Sequence, residues 1–203
     1  MGSDGLKIGV IGAGAWGTAM ARLLASSGNS VQLWCHEHET AKNILQKHVN
    51  TSFLPDIPLP ESLGASTDLL EIVRNFRILV AAPPSHLTRE IAKKIRPEIT
   101  AEHILVILSK GIEQHSLALM SEIFAEELDN LPKLAVLSGP TFAREVASDL
   151  PSAAVLACAD ETAGMLLQKC FHSDRFRIYR STDLVGVQLG GSIKNVIAIA
   201  SGI

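Results

Sequence analysis

The apolar run Leu6-Lys7-Ile8-Gly9-Val10-Ile11 passes without a break into Gly12-Ala13-Gly14-Ala15-Trp16-Gly17, and an alanine-rich stretch follows to Ser27. Few folds use a strand that ends in three glycines spaced G-x-G-x-x-G and resumes at once as a helix. The first glycine permits a tight turn, the second lets main chain approach a pyrophosphate, and the third lets the helix sit close to the strand. The free N–H groups and partial positive charge of the helix N-terminus then face the diphosphate. The stretch predicts a dinucleotide site at Gly12, Gly14, Ala15, Trp16 and Gly17; the alternative is that small residues merely allow tight packing.

The remainder of the chain keeps the same rhythm. Apolar, β-branched runs predict strands at 6–11, 30–34, 77–82, 103–108, 133–137, 153–157 and 176–179. Helices are expected at 15–27, 39–48, 68–75, 86–95, 116–128, 142–147 and 161–171, with Asp68 and Glu71 at the spacing of a capping box. Several strands are apolar on both faces, the mark of a parallel sheet covered on each side. The alternation predicts a doubly wound, Rossmann-type α/β sheet over residues 1–180, with residues 181–203 opening a second, helical domain. Three prolines in Asn50 to Ser66 forbid a long helix there and predict an ordered loop, while Met1 to Gly5 read as a short flexible leader.

Composition narrows the ligand. With 18 basic against 21 acidic residues the chain offers no general attraction to nucleic acid, so a small molecule is expected. Cys35, Cys158 and Cys170 are too few and too far apart for a disulfide framework or a metal site, which fits a reducing cytoplasm. No apolar run approaches the roughly 20 residues of a membrane span.

In an open α/β sheet, ligands bind beyond the carboxyl ends of the strands, so the residues there come first. After the second strand stand His36 and Glu37: His36 could lie over an adenine and tolerate a 2′-phosphate, whereas Glu37 could hold a ribose hydroxyl and favour NAD. We expect NADPH or NADH, with NADP favoured. Pro83-Pro84 could wall a nicotinamide pocket, or form only a rigid turn. Lys110-Gly111 puts a cation where a ligand belongs, and Ser138-Gly139-Pro140-Thr141 leads into a helix with Pro140 expected in its first turn. From Asp183 onward the chain reads as one apolar helix interrupted by Lys194-Asn195. A lysine in apolar surroundings would have its pKa lowered by desolvation, which suits a general acid; the alternative is an ammonium that snorkels to water.

The stretches "IGAGAWGTAMA", "LWCHE", "NTSFLPDIPLP", "LSKGIE", "LSGPTFAREVA" and "GVQLGGSIKNVIAIASG", in that order, resemble the bacterial type of NAD(P)-dependent glycerol-3-phosphate dehydrogenase, from about Lys7 to Ile203. The resemblance implies reversible reduction of dihydroxyacetone phosphate to sn-glycerol 3-phosphate for glycerophospholipid synthesis. It implies that Lys194 is the catalytic proton donor, that Lys110, Gly139, Thr141 and Asn195 meet substrate, and that Ala15, Trp16, His36, Pro83, Lys110 and Ala143 meet the cofactor. It also implies a larger helical C-terminal domain, so that a chain ending at Ile203 should be truncated, turn over weakly, and self-associate through the apolar face from Val185 onward. A binding module without catalysis and a related β-hydroxyacid dehydrogenase are the alternatives. A short-chain dehydrogenase is excluded, because Tyr179 is followed four residues on by Asp183 and not by lysine.

Overall fold

The computed structural model describes residues 5–202; the expected leader, Gly5 apart, lies outside the described residues. Eight strands form one sheet: β1 (Lys7–Ile11), β2 (Ser30–Trp34), β3 (Gly64–Ser66), β4 (Ile78–Ala81), β5 (Ile104–Ile107), β6 (Lys133–Ser138), β7 (Ser152–Cys158) and β8 (Phe176–Ser181). Their order is β3-β2-β1-β4-β5-β6-β7-β8, with every pairing parallel except the antiparallel β6–β7. The chain winds outward from β1 in both directions, so the strand order reverses between β1 and β4. That reversal opens a crevice above the carboxyl ends of those two strands.

The helices are α1 (Ala15–Ser26), α2 (His38–Lys47), α3 (Leu69–Asn75), α4 (Thr88–Ile95), α5 (Met120–Glu127), α6 (Ala143–Ala147), α7 (Glu161–Phe171) and α8 (Leu184–Ser201). Alternate residues of each central strand serve opposite faces. Ile8, Val10, Ile104 and Val106 join Met20, Leu24, Leu167 and Phe171 in one core, and Ile11, Leu79, Leu105 and Ile107 join Ile72, Ile91, Ile95 and Phe124 in the other. This two-sided burial is why the strands read as continuous apolar runs.

Five expectations need correction. β3 escaped notice because Gly-Ala-Ser has little strand propensity and is only half-buried. The helix expected from Ser116 begins at Met120, since Leu117 takes a left-handed φ of 59° and Ile112 bridges Leu119. α6 starts at Ala143 and runs only five residues, so Pro140 lies in a bend ahead of the helix and not in its first turn. A short α6 that packs back on α1 also cannot carry the chain the length of the sheet, so β7 returns antiparallel beside β6. Finally, α8 is 18 residues long with a mean hydropathy of 1.3, long and apolar enough to cross a membrane by length and composition alone, although Lys194 stands near its middle.

Aspartates cap α3 and α8, the expected box at Asp68 and Glu71 closing through a third residue and the cap at Asp183 not having been read from the sequence. The Glu71 N–H donates to Asp68 Oδ1 at 2.9 Å, and the return arm runs through Ser66, whose hydroxyl donates to Glu71 and accepts from the Asp68 N–H. Asp183 accepts from the Gly186 N–H at 2.7 Å and starts α8.

Candidate dinucleotide and anion site

The glycines do what their spacing requires. Gly12 has φ of 112°, and a Cβ there would sit 2.9 Å from the Ala82 carbonyl oxygen, so the turn between β1 and α1 is closed to other residues. A Cβ on Gly17 would stand 1.9 Å from the Gly12 oxygen, which is why α1 can rise directly over the end of β1. Gly14 is different: its missing side chain faces space with nothing within 4 Å. It is the N-cap of α1, and no side chain caps that helix. The cradle left there fits a pyrophosphate, which would meet the uncapped first-turn N–H groups.

A cavity of about 280 Å³ opens from this cradle toward β2, lined by Gly12, Gly14, His36, Glu37, Phe53, Pro83, Glu90 and Lys94. A second, of about 390 Å³, runs the other way past Gly14, Ala15, Trp16, Pro83, Lys110, Thr141 and Ala143. Gly14 and Pro83 border both, so most of the residues expected to meet a cofactor share one continuous surface at the switch point. Gly139 and Lys194 line a third cleft of about 400 Å³ between β6 and α8, on the far side of the segment 138–141. Asn195 is exposed and lines none of the three.

Lys110 is fixed from several directions. Its Nζ donates to the Gly139 carbonyl at 3.1 Å and lies 5.9 Å from the Trp16 ring centre. Burial, and second the positive charge of Lys194, hold its pKa below the ordinary lysine value. The following Gly111 has φ of 147° and its N–H donates to Ser192 Oγ, which ties the loop to α8. On its other side the same loop is held by Glu113, whose carboxylate pairs with Arg89 while Arg89 also reaches Glu126 and Glu127. The Arg89 and Ser116 hydrogen bonds hold the Glu113 carboxyl down to about 2.

Lys194 departs from expectation. It is half-buried, not sunk in apolar surroundings, and its Nζ lies 4.3 Å from the centre of the Phe142 ring. Among the described residues neither Lys110 nor Lys194 has a carboxylate partner. Beside them Thr141 Oγ1 and Trp16 Nε1 are buried with no hydrogen-bond partner among the described residues. Two adjacent unpaired cations and two orphaned polar groups suit a polar, anionic ligand.

Sequence reading missed three supports. Asn50 Nδ2 donates to the Ala13 carbonyl and to Thr18 Oγ1, both at 2.8 Å, and so pins the glycine turn. Ser109 donates to the Pro83 carbonyl at 2.6 Å, joining the ends of β4 and β5. Gln188, the buried residue of α8, accepts from the Ser121 N–H and donates to its hydroxyl. An asparagine just ahead of a proline-rich loop is a turn signal that pointed to Asn50; nothing local marks Ser109 or Gln188.

The fold and site define a Rossmann-type dinucleotide-binding protein. Residues 7–164 match the family described as NAD-dependent glycerol-3-phosphate dehydrogenase N-terminus, and the chain belongs to that family. It is 44% identical over 200 residues to a glycerol-3-phosphate dehydrogenase [NAD(P)+] of Syntrophotalea carbinolica, covering 98% of this chain and 60% of that one. A relative of the same name from Citrifermentans bemidjiense is 46% identical over 199 residues, with 97% and 59% covered. The crystal structure of glycerol-3-phosphate dehydrogenase from Coxiella burnetii superposes with a TM-score of 0.90 at 36% identity, covering 98% of this chain and 61% of that one. The chain thus spans about 60% of the length of the relatives it matches.

Proposed function

We propose that this chain serves the reversible, NAD(P)H-dependent reduction of dihydroxyacetone phosphate to sn-glycerol 3-phosphate, feeding glycerophospholipid synthesis, with its dinucleotide domain ending near residue 180. The observation that carries this reading is the pair of lysines with no carboxylate partner among the described residues: Lys110, which shares a cavity with the glycine cradle, and Lys194, whose charge reaches it from the cleft across segment 138–141. The end of β8 at Ser181 and the Asp183 cap of α8 support the boundary.

The cradle of Gly12, Gly14 and Gly17 takes the pyrophosphate, with Ala15, Trp16, His36, Pro83, Lys110 and Ala143 along the cofactor. When bound, the reduced nicotinamide supplies a hydride to the ketone carbon. Lys194 gives its proton to the ketone oxygen as negative charge develops there, and takes it back in the reverse direction. Lys110, steered by the Gly139 carbonyl, faces the anionic substrate and stabilises the charge that grows in the transition state. The Thr141 hydroxyl, orphaned in the cleft, donates to the same substrate, and Asn195 orients it from α8. Exposed Val185, Ile193, Val196 and Ile199 support pairing of copies through α8, and the buried free thiols of Cys35, Cys158 and Cys170 support a cytoplasmic setting.

Thermal melts of the chain with NADH, NADPH and dihydroxyacetone phosphate test the reading. Nucleotide at about a hundred times Kd should stabilise by about 2.7 kcal/mol, a rise of roughly 5–10 °C for a chain of this size. Dihydroxyacetone phosphate added to the nucleotide complex should raise the melt further in the wild type and not in Lys110→Met or Lys194→Met. Absence of any shift with either nucleotide overturns the reading. A nucleotide shift with no response to dihydroxyacetone phosphate leaves a binding module without catalysis.

A further inference from the structure

The cavity above the end of β2 carries two carboxylates and one ammonium, Glu37, Glu90 and Lys94. Glu37 follows β2 and is the N-cap of α2, yet its carboxylate takes no capping hydrogen bond, and it lines the cavity beside Gly12 and Gly14. Its distance along the chain, roughly 20 residues past the glycine motif, is that of the acidic residue that holds ribose hydroxyls in NAD sites. From the facing helix α4 a second carboxylate, Glu90, lines the same cavity. The ammonium there belongs to Lys94, and it is already committed to Glu90 at 2.7 Å, one turn away on α4. No arginine lines the cavity among the described residues, and His36 packs edge-on against Trp34, with ring centres 6.0 Å apart. Phe53 and Ile91 supply apolar walls for a purine. A ribose hydroxyl is welcome between these groups. A 2′-phosphate would bring close to two negative charges against two carboxylates, with Lys94 already paired to one of them.

Resting on the dinucleotide reading above, we propose that Glu37 and Glu90 make this chain selective for NADH over NADPH, with Glu37 accepting from the ribose and Glu90 withholding Lys94 from a 2′-phosphate. The selectivity runs opposite to the preference for NADP expected from His36.

Calorimetric titration of the whole chain with NADH and with NADPH, at low and at high salt, tests this without any turnover. NADH should bind at least about tenfold more tightly at low salt, and the gap should narrow as salt screens the carboxylates. Glu37→Gln should weaken NADH and tighten NADPH, while Glu90→Gln, by releasing Lys94, should tighten NADPH and leave NADH nearly unchanged. Both residues are exposed, and melting temperatures near that of the wild type would show that the variants fold. Equal affinities, tighter NADPH, or ratios unmoved by both variants would overturn the proposal while leaving the dinucleotide reading intact. Binding of neither nucleotide would overturn both.

Discussion

Lys110 shows how a single residue can cost stability in order to hold a charge where a ligand needs it. Its pKa is lowered first by burial and then by Lys194, so the folded chain holds the proton less tightly than the unfolded chain does. For a base, a depressed folded pKa means that the cost of burying the ammonium is fully present at pH values below the folded pKa. It is relieved as pH rises from there toward the unfolded value of 10.5. Lys110→Met should therefore melt above the wild type at pH 7, with the difference shrinking steadily in melts taken toward pH 10. A variant that melts lower at every pH would mean that the Gly139 hydrogen bond outweighs the buried charge. The position of Lys110 was legible, because a cation after a buried strand stands where α/β ligands bind. Its partners were not: Gly139 lies 29 residues away and Ser192, which fixes the next residue, 81 away from Gly111. For Lys194 the type of residue was legible and the environment was not, since an apolar sequence does not reveal which face of α8 is covered.

At the scale of elements, β1, the glycine turn and α1 were readable almost residue by residue, because period, turn and helix all say the same thing there. The segment from Asn50 to Leu63 was readable only as an ordered loop. Its side chains show what orders it: Leu54, Ile57, Leu59 and Leu63 are buried, and Asn50 is fully buried with both its amide hydrogens engaged on the glycine turn. The loop thus braces the cradle from outside. Removing that brace by Asn50→Ala takes one of two donors from the buried Ala13 carbonyl, which keeps only the Thr18 hydroxyl, and deprives the Phe53 N–H of its Oδ1 acceptor. The loss should be about 2 kcal/mol, or a melting temperature lower by roughly 4–8 °C. Because the turn itself loosens, nucleotide affinity should fall as well, although Asn50 lines neither cofactor cavity. A variant that loses stability while binding nucleotide as tightly as the wild type would show that the glycines hold the turn unaided.

Across the whole molecule the sheet and α8 are held by different means. Strands β4, β5 and most of β6 are wrapped by two apolar cores, whereas of the described part of α8 only Gln188 is buried. The helix is docked by a polar clamp: Gln188 to Ser121, and Ser192 to Gly111, reinforced by Gly191, where a Cβ would stand 2.4 Å from Ser138 Oγ. Beyond Ser192 the helix exposes Val196, Ile197 and Ile199. Amides in buried strands exchange only through near-global opening, while a helix with few apolar contacts opens locally at low cost. Hydrogen exchange should accordingly rank the strands slowest, residues 184–192 intermediate and residues 196–201 fastest. Gln188→Ala cuts the clamp at its buried end, so residues 184–192 should come to exchange like 196–201 while the strands keep their protection. The consequence reaches the site, because α8 carries Lys194 to within the electrostatic range of Lys110 only while it is docked. If the clamp does hold the helix, the variant should lose its thermal response to dihydroxyacetone phosphate yet keep its response to nucleotide, whose cradle lies on β1 and α1. Unchanged exchange in 184–192 would assign the docking to Leu184 and Val187, the partly buried apolar residues of α8 packed against the core, and not to the clamp.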